Sequence, residues 1–371
     1  MKKFQQILTL ALSLGFLAVF SAWFLIAPDA EESTVERRRL AKRPALSLSS
    51  VTNGSFMNGF EKYMLDQFPL RNGFRGLKAA VNAKVFMKKD NNGLYSVGEH
   101  LSKLDFPTDA ESVDHAARCF RYVYDMYLRN AGTKTYLSVI PDKNTFIASQ
   151  NGYPDKDYKA LTERLRSGFP EAKYIDISGL LSSDDFYYTD SHWRQEGILK
   201  VADEIADKMG AERIGQCEKH DTGVSFYGVY YGQAALPHAP ERLFYLDNAV
   251  IRGLKVYNVE ISSDIPVYDL GAAAGRDPYE MFLGGARSII RITNPNAAQE
   301  RRLIIFRDSF GSSIAPLLAA GYSEITLVDI RYISPLSLGK LIDFTKADDA
   351  LFLYSASVIN NSETIKGTSK N

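Results

Sequence analysis

Four consecutive apolar residues, Leu303 to Phe306, run into Arg307, Asp308 and Ser309, and an apolar stretch, SSIAPLLAAG, follows within two residues. An uninterrupted apolar run bounded in this way reads as a buried strand, and the change of pattern after it reads as a helix start. Asp308 and Ser309 therefore occupy a strand-to-helix turn. At the carboxyl edge of a parallel sheet, such turns are where α/β proteins place reactive groups. A serine there presents its Oγ outward, near helix N-terminal amides that can stabilise an oxyanion. The other reading of the same position is that Asp308 and Ser309 only cap the helix.

The surrounding chain supplies a sheet for that turn. A helical period covers 110–130, with Gly132 as its stop, and TYLSVIP (135–141) is a short strand that ends in the loop PDKN. A helix near 157–168, a strand over 173–178 and a helix over 194–209 follow. After 302 the same rhythm returns, with strands over 303–306, 324–330 and 350–357. This alternation specifies an α/β fold. Between 215 and 300 the rhythm fails, and short runs rich in Gly and Tyr (VSFYGVYYG, LKVYNVEIS, IPVYDL) read as a β-rich insertion packed on the main sheet. The organisation expected is a segment 1–30, a linker 31–53, an α/β domain 54–360 that includes the insertion, and a disordered tail 361–371. Helical spacing over 54–86 is broken in two at Phe68-Pro69.

Residues 7–27 are almost uncharged and long enough to cross a bilayer, with Lys2 and Lys3 before them. They read as a signal anchor rather than a cleaved signal. Five basic residues in ERRRLAKR (36–43) follow the span, which complicates the positive-inside rule. The large domain after a single N-terminal span is nonetheless expected outside the cytoplasm. With 44 basic and 44 acidic residues, nothing global points to nucleic acid. Cys119 and Cys217 are too few for a disulfide scaffold or a structural zinc site, and Cys119 reads as a small buried apolar side chain. No His, Cys and Asp cluster has metal-ligand spacing, so neither metal nor cofactor is expected.

A second polar stretch, YYTDSHW, holds Asp190 and His192 two positions apart. In an extended segment such residues point to the same side and Ser191 points away. Asp190 could then bond one ring nitrogen of His192 and leave the other free as a base. A helix cap with a surface histidine is the commoner meaning of Asp-x-His. What favours the base is its company: Ser309, His192 and Asp190 all lie at strand ends or helix mouths of one α/β pattern.

Several stretches in order, ERRRLAKRPALSL, GSFMNGFEKYMLDQFPLRNGF, YTDSHW, YEMFLGGARSIIRITN and LIIFRDSFGSSIAPLLAAGYSEITLVDIRYI, make the chain resemble the DHHW proteins over most of residues 36–357. These belong with the SGNH-hydrolase-like alginate O-acetylation proteins. The resemblance implies a flavodoxin-like three-layer SGNH core, with Ser309 as nucleophile, His192 as base and Asp190 as its orienting acid. It departs at Ser191, where the family motif has a second His, and at Arg307, which either assists or obstructs substrate. Candidates for the oxyanion and substrate sites are Asn144, Gly285 with Gly284, and Arg307, while Trp193, Tyr187 and Tyr188 could line a sugar platform. For Asn144, Gly285 and Trp193 the plainer roles are turn former, tight turn and packed core.

The function implied is O-acetyl transfer or O-acetyl ester hydrolysis on a cell-surface polysaccharide, a transferase needing a membrane partner as acyl donor. A non-catalytic glycan-binding or assembly protein that keeps the fold is the rival. The two differ in whether Ser309 Oγ and the His192 ring come within hydrogen-bond reach or lie beyond about 6 Å.

Overall fold

The apolar runs form one eight-stranded sheet. In a computed structural model that describes residues 2–367, its strands are β1 (Lys134–Ile140), β2 (Lys173–Tyr174), β3 (Lys255–Asn258), β4 (Ser263–Ile265), β5 (Ile289–Thr293), β6 (Arg302–Arg307), β7 (Glu324–Val328) and β8 (Asp349–Ser355). Their order across the sheet is β4-β3-β5-β7-β6-β8-β1-β2. From β7 to β2 neighbours are parallel, with Phe306 opposite Val328 on one side and Phe352 on the other. The strands β5, β3 and β4 add an antiparallel edge. Taken from β6 as first strand, the parallel part runs second, first, third, fourth, fifth (β7, β6, β8, β1, β2), the flavodoxin-like order with its chain start moved. The topological switch point therefore lies between β6 and β8.

Alternation along the central strands fills both faces. Leu303, Ile305, Leu351 and Leu353 join Val201, Ile205 and Leu317 in one core. Ile304, Phe306, Phe352 and Tyr354 join Val113, Phe120, Leu161 and Leu165 in the other. Helix Ala110–Val123 thus covers one face, and helix Leu199–Met209 covers the opposite one. This is a three-layer α/β fold of the SGNH-like kind. The insertion is built differently from its expected form. Three of its strands lengthen the main sheet, while Glu218–Phe226 and Glu241–Asp247 pair only with each other. Short runs that alternate in polarity suit a sheet edge or a separate ribbon better than a layer packed on the sheet.

Two compact units divide the chain: 1–92 with 231–237, and 93–230 with 238–371. The helices expected at the start of the α/β domain fall in the first unit. There Lys2–Ile26 has the length and composition of a membrane span or a signal sequence. Its Phe20 ring stacks on Phe68 (5.5 Å) and meets Phe74 edge-on (5.6 Å), and Phe24 meets Tyr63. Helices Ser55–Gln67 and Arg71–Lys84 flank the break at Phe68-Pro69. Part of the basic run ERRRLAKR is used locally, since Arg38 pairs with Asp66, and Glu36 with Arg71 and Arg75.

The Arg38 guanidinium holds the Asp66 carboxyl down at about 2. A carboxyl depressed on folding stabilises above its unfolded value of about 4, and that contribution fades as pH falls toward 2. Asp66→Asn is therefore expected to lower the melting temperature at pH 7, and the gap from wild type should narrow between pH 5 and pH 2. A constant gap in thermal melts would remove the charge from the explanation.

In the second unit, residues 361–367 are not the free tail expected. Ile365 is buried, and Ser362 donates its N–H to Ser112 Oγ (2.7 Å) and its hydroxyl to the Ser112 carbonyl (2.6 Å), because an apolar side chain and a hydroxyl find partners on the Ala110–Val123 helix. Residues 368–371 of that expected tail lie outside the described residues. Both cysteines are free, and burial pushes the Cys119 thiol up to about 11.

Candidate active site

The stretch around His192 is a tight loop rather than a helix start. Arg194 N–H donates to the Asp185 carbonyl (2.7 Å) and Tyr187 N–H to the His192 carbonyl (3.1 Å), so the chain doubles back with Asp190 near the tip. Asp190 is fully buried. Its Oδ1 accepts from the backbone N–H of His192 (3.1 Å) and lies 2.7 Å from His192 Nδ1, while its Oδ2 accepts from Val229 N–H (2.8 Å). The pair thus meets through a bend closed by the aspartate on the backbone, and the alternation of an extended strand is not the reason. For the same cause Ser191 does not point fully away, its Oγ lying 3.5 Å from Asp190 Oδ1.

The other ring nitrogen, Nε2, lies 2.7 Å from Ser309 Oγ. Ser309 follows β6 at the switch point, where Asp308 braces the turn. Its carboxylate accepts from Phe310 N–H (3.1 Å) and, across the crevice, from Ser355 N–H at the end of β8 (2.8 Å). With Asp308 committed to these amides, Ser309 is left half-exposed. Among the described residues nothing accepts from its backbone N–H. The Tyr279 ring stacks on the His192 imidazole (centroids 3.9 Å apart, 12° between planes), and the Phe310 ring lies tilted at 48° to it with centroids 4.8 Å apart. Tyr279 OH and Trp193 Nε1 both donate to Ser313 Oγ at 2.8 Å, tying the support of the imidazole to the helix after Ser309.

A base held by a buried carboxylate and touching a half-exposed hydroxyl at a sheet's carboxyl edge is an arrangement suited to acyl chemistry. Residues 178–328 match the DHHW protein family. All three residues of the constellation fall inside that DHHW segment. The chain is similar in structure to a DHHW family protein from Eubacterium siraeum, at 17% identity and a TM-score of 0.58, covering 76% of this chain and 98% of that one. It is also similar to Bacillus cereus PatB1 solved with a sulfonyl adduct, at 16% identity and a TM-score of 0.59, covering 74% and 97%. The O-acetyltransferase domain of Pseudomonas putida AlgJ is 13% identical with a TM-score of 0.46, covering 72% and 92%. No curated protein matches the chain.

Four other candidates, Asn144, Gly285, Arg307 and Trp193, are buried. Asn144 is buried and turned to Asp155 and Tyr95, its amide donating to the first (2.8 Å) and its carbonyl accepting from the second (2.5 Å). Gly285 spends its N–H on Phe282 in a tight turn, and its φ of +78° together with a Cβ position 2.7 Å from Glu280 explains the glycine. Its carbonyl faces Arg307 and Ser312 at 3.4 Å. Arg307 is wholly buried, and Gly311 packs on its stem, where a Cβ would approach to 2.6 Å. Desolvation lowers its pKa, and Asp329, 4.0 Å away, is shared with Arg331. Trp193 and Tyr187 are fully buried in the DHHW segment, so neither offers a face to a sugar, whereas Tyr188 is half-buried under Arg194.

Two residues that sequence reasoning passed over hold the loop. Glu241 accepts from Tyr188 N–H (2.9 Å), Thr189 N–H (3.1 Å) and Arg194 (2.9 Å). Lys143 Nζ donates to the carbonyls of Tyr187 (2.7 Å), Tyr188 (3.0 Å) and Asp190 (2.9 Å). The PDKN loop was a visible signal, read there for Asn144 rather than its neighbour. Among the described residues no group of His, Cys, Asp or Glu converges as a metal site.

Proposed function

We propose that the protein is a membrane-tethered enzyme that transfers or hydrolyses acyl esters, acting outside the cytoplasm on hydroxyl-bound acetyl groups of a cell-surface polysaccharide. The observation that carries this reading is the unbroken relay from Asp190 Oδ1 to His192 Nδ1 (2.7 Å) and from His192 Nε2 to Ser309 Oγ (2.7 Å). A binding-only protein has no need of that contact. In the proposed cycle Ser309 Oγ attacks the acyl carbonyl as its proton passes to His192 Nε2. The leaving alcohol takes that proton, and an acyl-Ser309 ester forms. His192 then deprotonates water or a sugar hydroxyl, which attacks the ester and frees Ser309. In this reading the Ser309 N–H, which has no acceptor among the described residues, receives the oxyanion. The apolar N-terminal helix supports tethering, and O-acetyl chemistry is what the resemblance to the DHHW proteins implies for the matched residues.

The test is incubation of the purified full chain with an activated acetyl ester, with and without an oligosaccharide acceptor. Wild type should release or transfer acetate, and Ser309→Ala should do so at least about 10⁴-fold more slowly. Equal slow release by both would leave the catalytic reading without support. Acetate appearing on the oligosaccharide identifies a transferase, and free acetate alone an esterase.

A further inference from the structure

We propose that Lys143 is a positioning residue, whose ammonium gathers three carbonyls of the 187–190 loop and so fixes the angle at which Asp190 and His192 meet Ser309. This rests on the triad reading above. The side chain is buried, and its three hydrogens go to Tyr187, Tyr188 and Asp190 rather than to any carboxylate. Three carbonyl oxygens pointing at one spot repel one another unless a donor with three hydrogens occupies it. Lysine is the side chain with three donors on one atom. As a device for stability alone it is a poor choice, since a buried cation forfeits its hydration and an apolar replacement often serves as well.

The charge facing Lys143 is mixed. Glu241 and Asp190 favour its protonated form and Arg194 opposes it, while the Tyr230 ring lies 5.5 Å away. His100 and His238 also feel it, and burial with the Lys143 charge holds His100 down at about 4. Burial is the largest influence on Lys143 and brings it down to about 7. Its pKa is depressed, so the ammonium is present below about pH 7 and lost above. The neutral amine keeps two hydrogens for three carbonyls, and one carbonyl is released. The loop then loosens on the alkaline side while the rest of the fold is kept.

Lys143→Met keeps the length of the side chain and removes every donor. It is expected to lower kcat/KM about 10²-fold, mostly through kcat, as a shift of about 1 Å in a reacting group does. A low-field proton resonance reports the His192 Nδ1 to Asp190 hydrogen bond without turnover. It should be present in wild type at pH 6, weaken as pH rises past 7, and be lost in Lys143→Met. An unchanged kcat/KM, or a resonance that Lys143→Met retains, overturns the inference. If Lys143→Met does not fold, the wild-type titration decides, and a resonance constant from pH 6 to pH 9 overturns it. A wild type with the expected resonance but no ester turnover would sink the catalytic reading and leave the positioning role standing.

Discussion

Asp190→Asn is expected to cut ester turnover about 10⁴-fold while leaving the protein folded. The reason lies in the two oxygens of a carboxyl that no water reaches. Oδ2 accepts from Val229 N–H and Oδ1 from both the backbone N–H and the ring of His192. An asparagine has one oxygen to offer. If that oxygen stays with Val229, its amide NH₂ faces His192, where it opposes the backbone N–H and forces the ring into the tautomer protonated at Nε2. Such a ring donates toward Ser309 and cannot take its proton. The reverse placement leaves Val229 N–H buried against an NH₂, at a cost of about 1–3 kcal/mol. Measuring kcat/KM on an activated acetyl ester, beside a thermal melt, checks this. A loss below about tenfold in a folded protein would show that Asp190 does not orient the base.

What the amino-acid order disclosed, and what it hid, follows from how far apart the cooperating residues are. The β6 turn is local, since an apolar strand, a carboxylate to brace the amides and a helix start occur within a dozen residues, so Ser309 could be singled out. Asp190 and His192 could be paired because they stand two positions apart, yet the bend that joins them was invisible. It depends on Oδ1 capturing a backbone N–H, and an alternation rule has no means of expressing that. Lys143 and Glu241 stand 47 and 53 residues from carbonyls and amides they hold, and nothing in their own neighbourhoods marks them. Trp193 and Arg307 went the other way. A large ring or a cation beside candidate residues invites a role in substrate binding, but whether it faces the crevice or the core depends on what packs on it, and here Ser313 and Gly311 do. The permuted strand order is a similar case. Helix and strand alternation gives the fold class, whereas the place of β6 in the middle of the sheet is decided by pairings between distant segments.

Gly228→Ala carries the second large effect, expected to lower kcat/KM about 10²-fold or more and the stability by a few kcal/mol. The stretch after the Glu218–Phe226 strand crosses the base loop backbone to backbone. Gly228 N–H donates to Thr189 Oγ1 (2.7 Å), Val229 N–H to Asp190 Oδ2 (2.8 Å) and Tyr230 N–H to the Thr189 carbonyl (3.0 Å). A Cβ on Gly228 would stand 2.1 Å from the Thr189 carbonyl oxygen and 2.4 Å from Asp190 Cβ. No side-chain motion relieves a contact with backbone, so the two segments must part by about 1 Å, and three hydrogen bonds worth about 1 kcal/mol each weaken together. Displacement of Asp190 by that amount carries His192 away from Ser309, and a misplacement of about 1 Å costs about 10²-fold. The glycine therefore joins the insertion to the chemistry, a link that nothing in VSFYGVYYG discloses. The measurement is kcat/KM and a denaturant midpoint for Gly228→Ala, with Gly179→Ala as reference, since Gly179 is exposed, has nothing within 4 Å of its Cβ position and has no positive φ. Both variants add one methyl group at a glycine, but only the first should weaken the site. Equal behaviour of the two would mean that the crossing segment does not hold Asp190 in place.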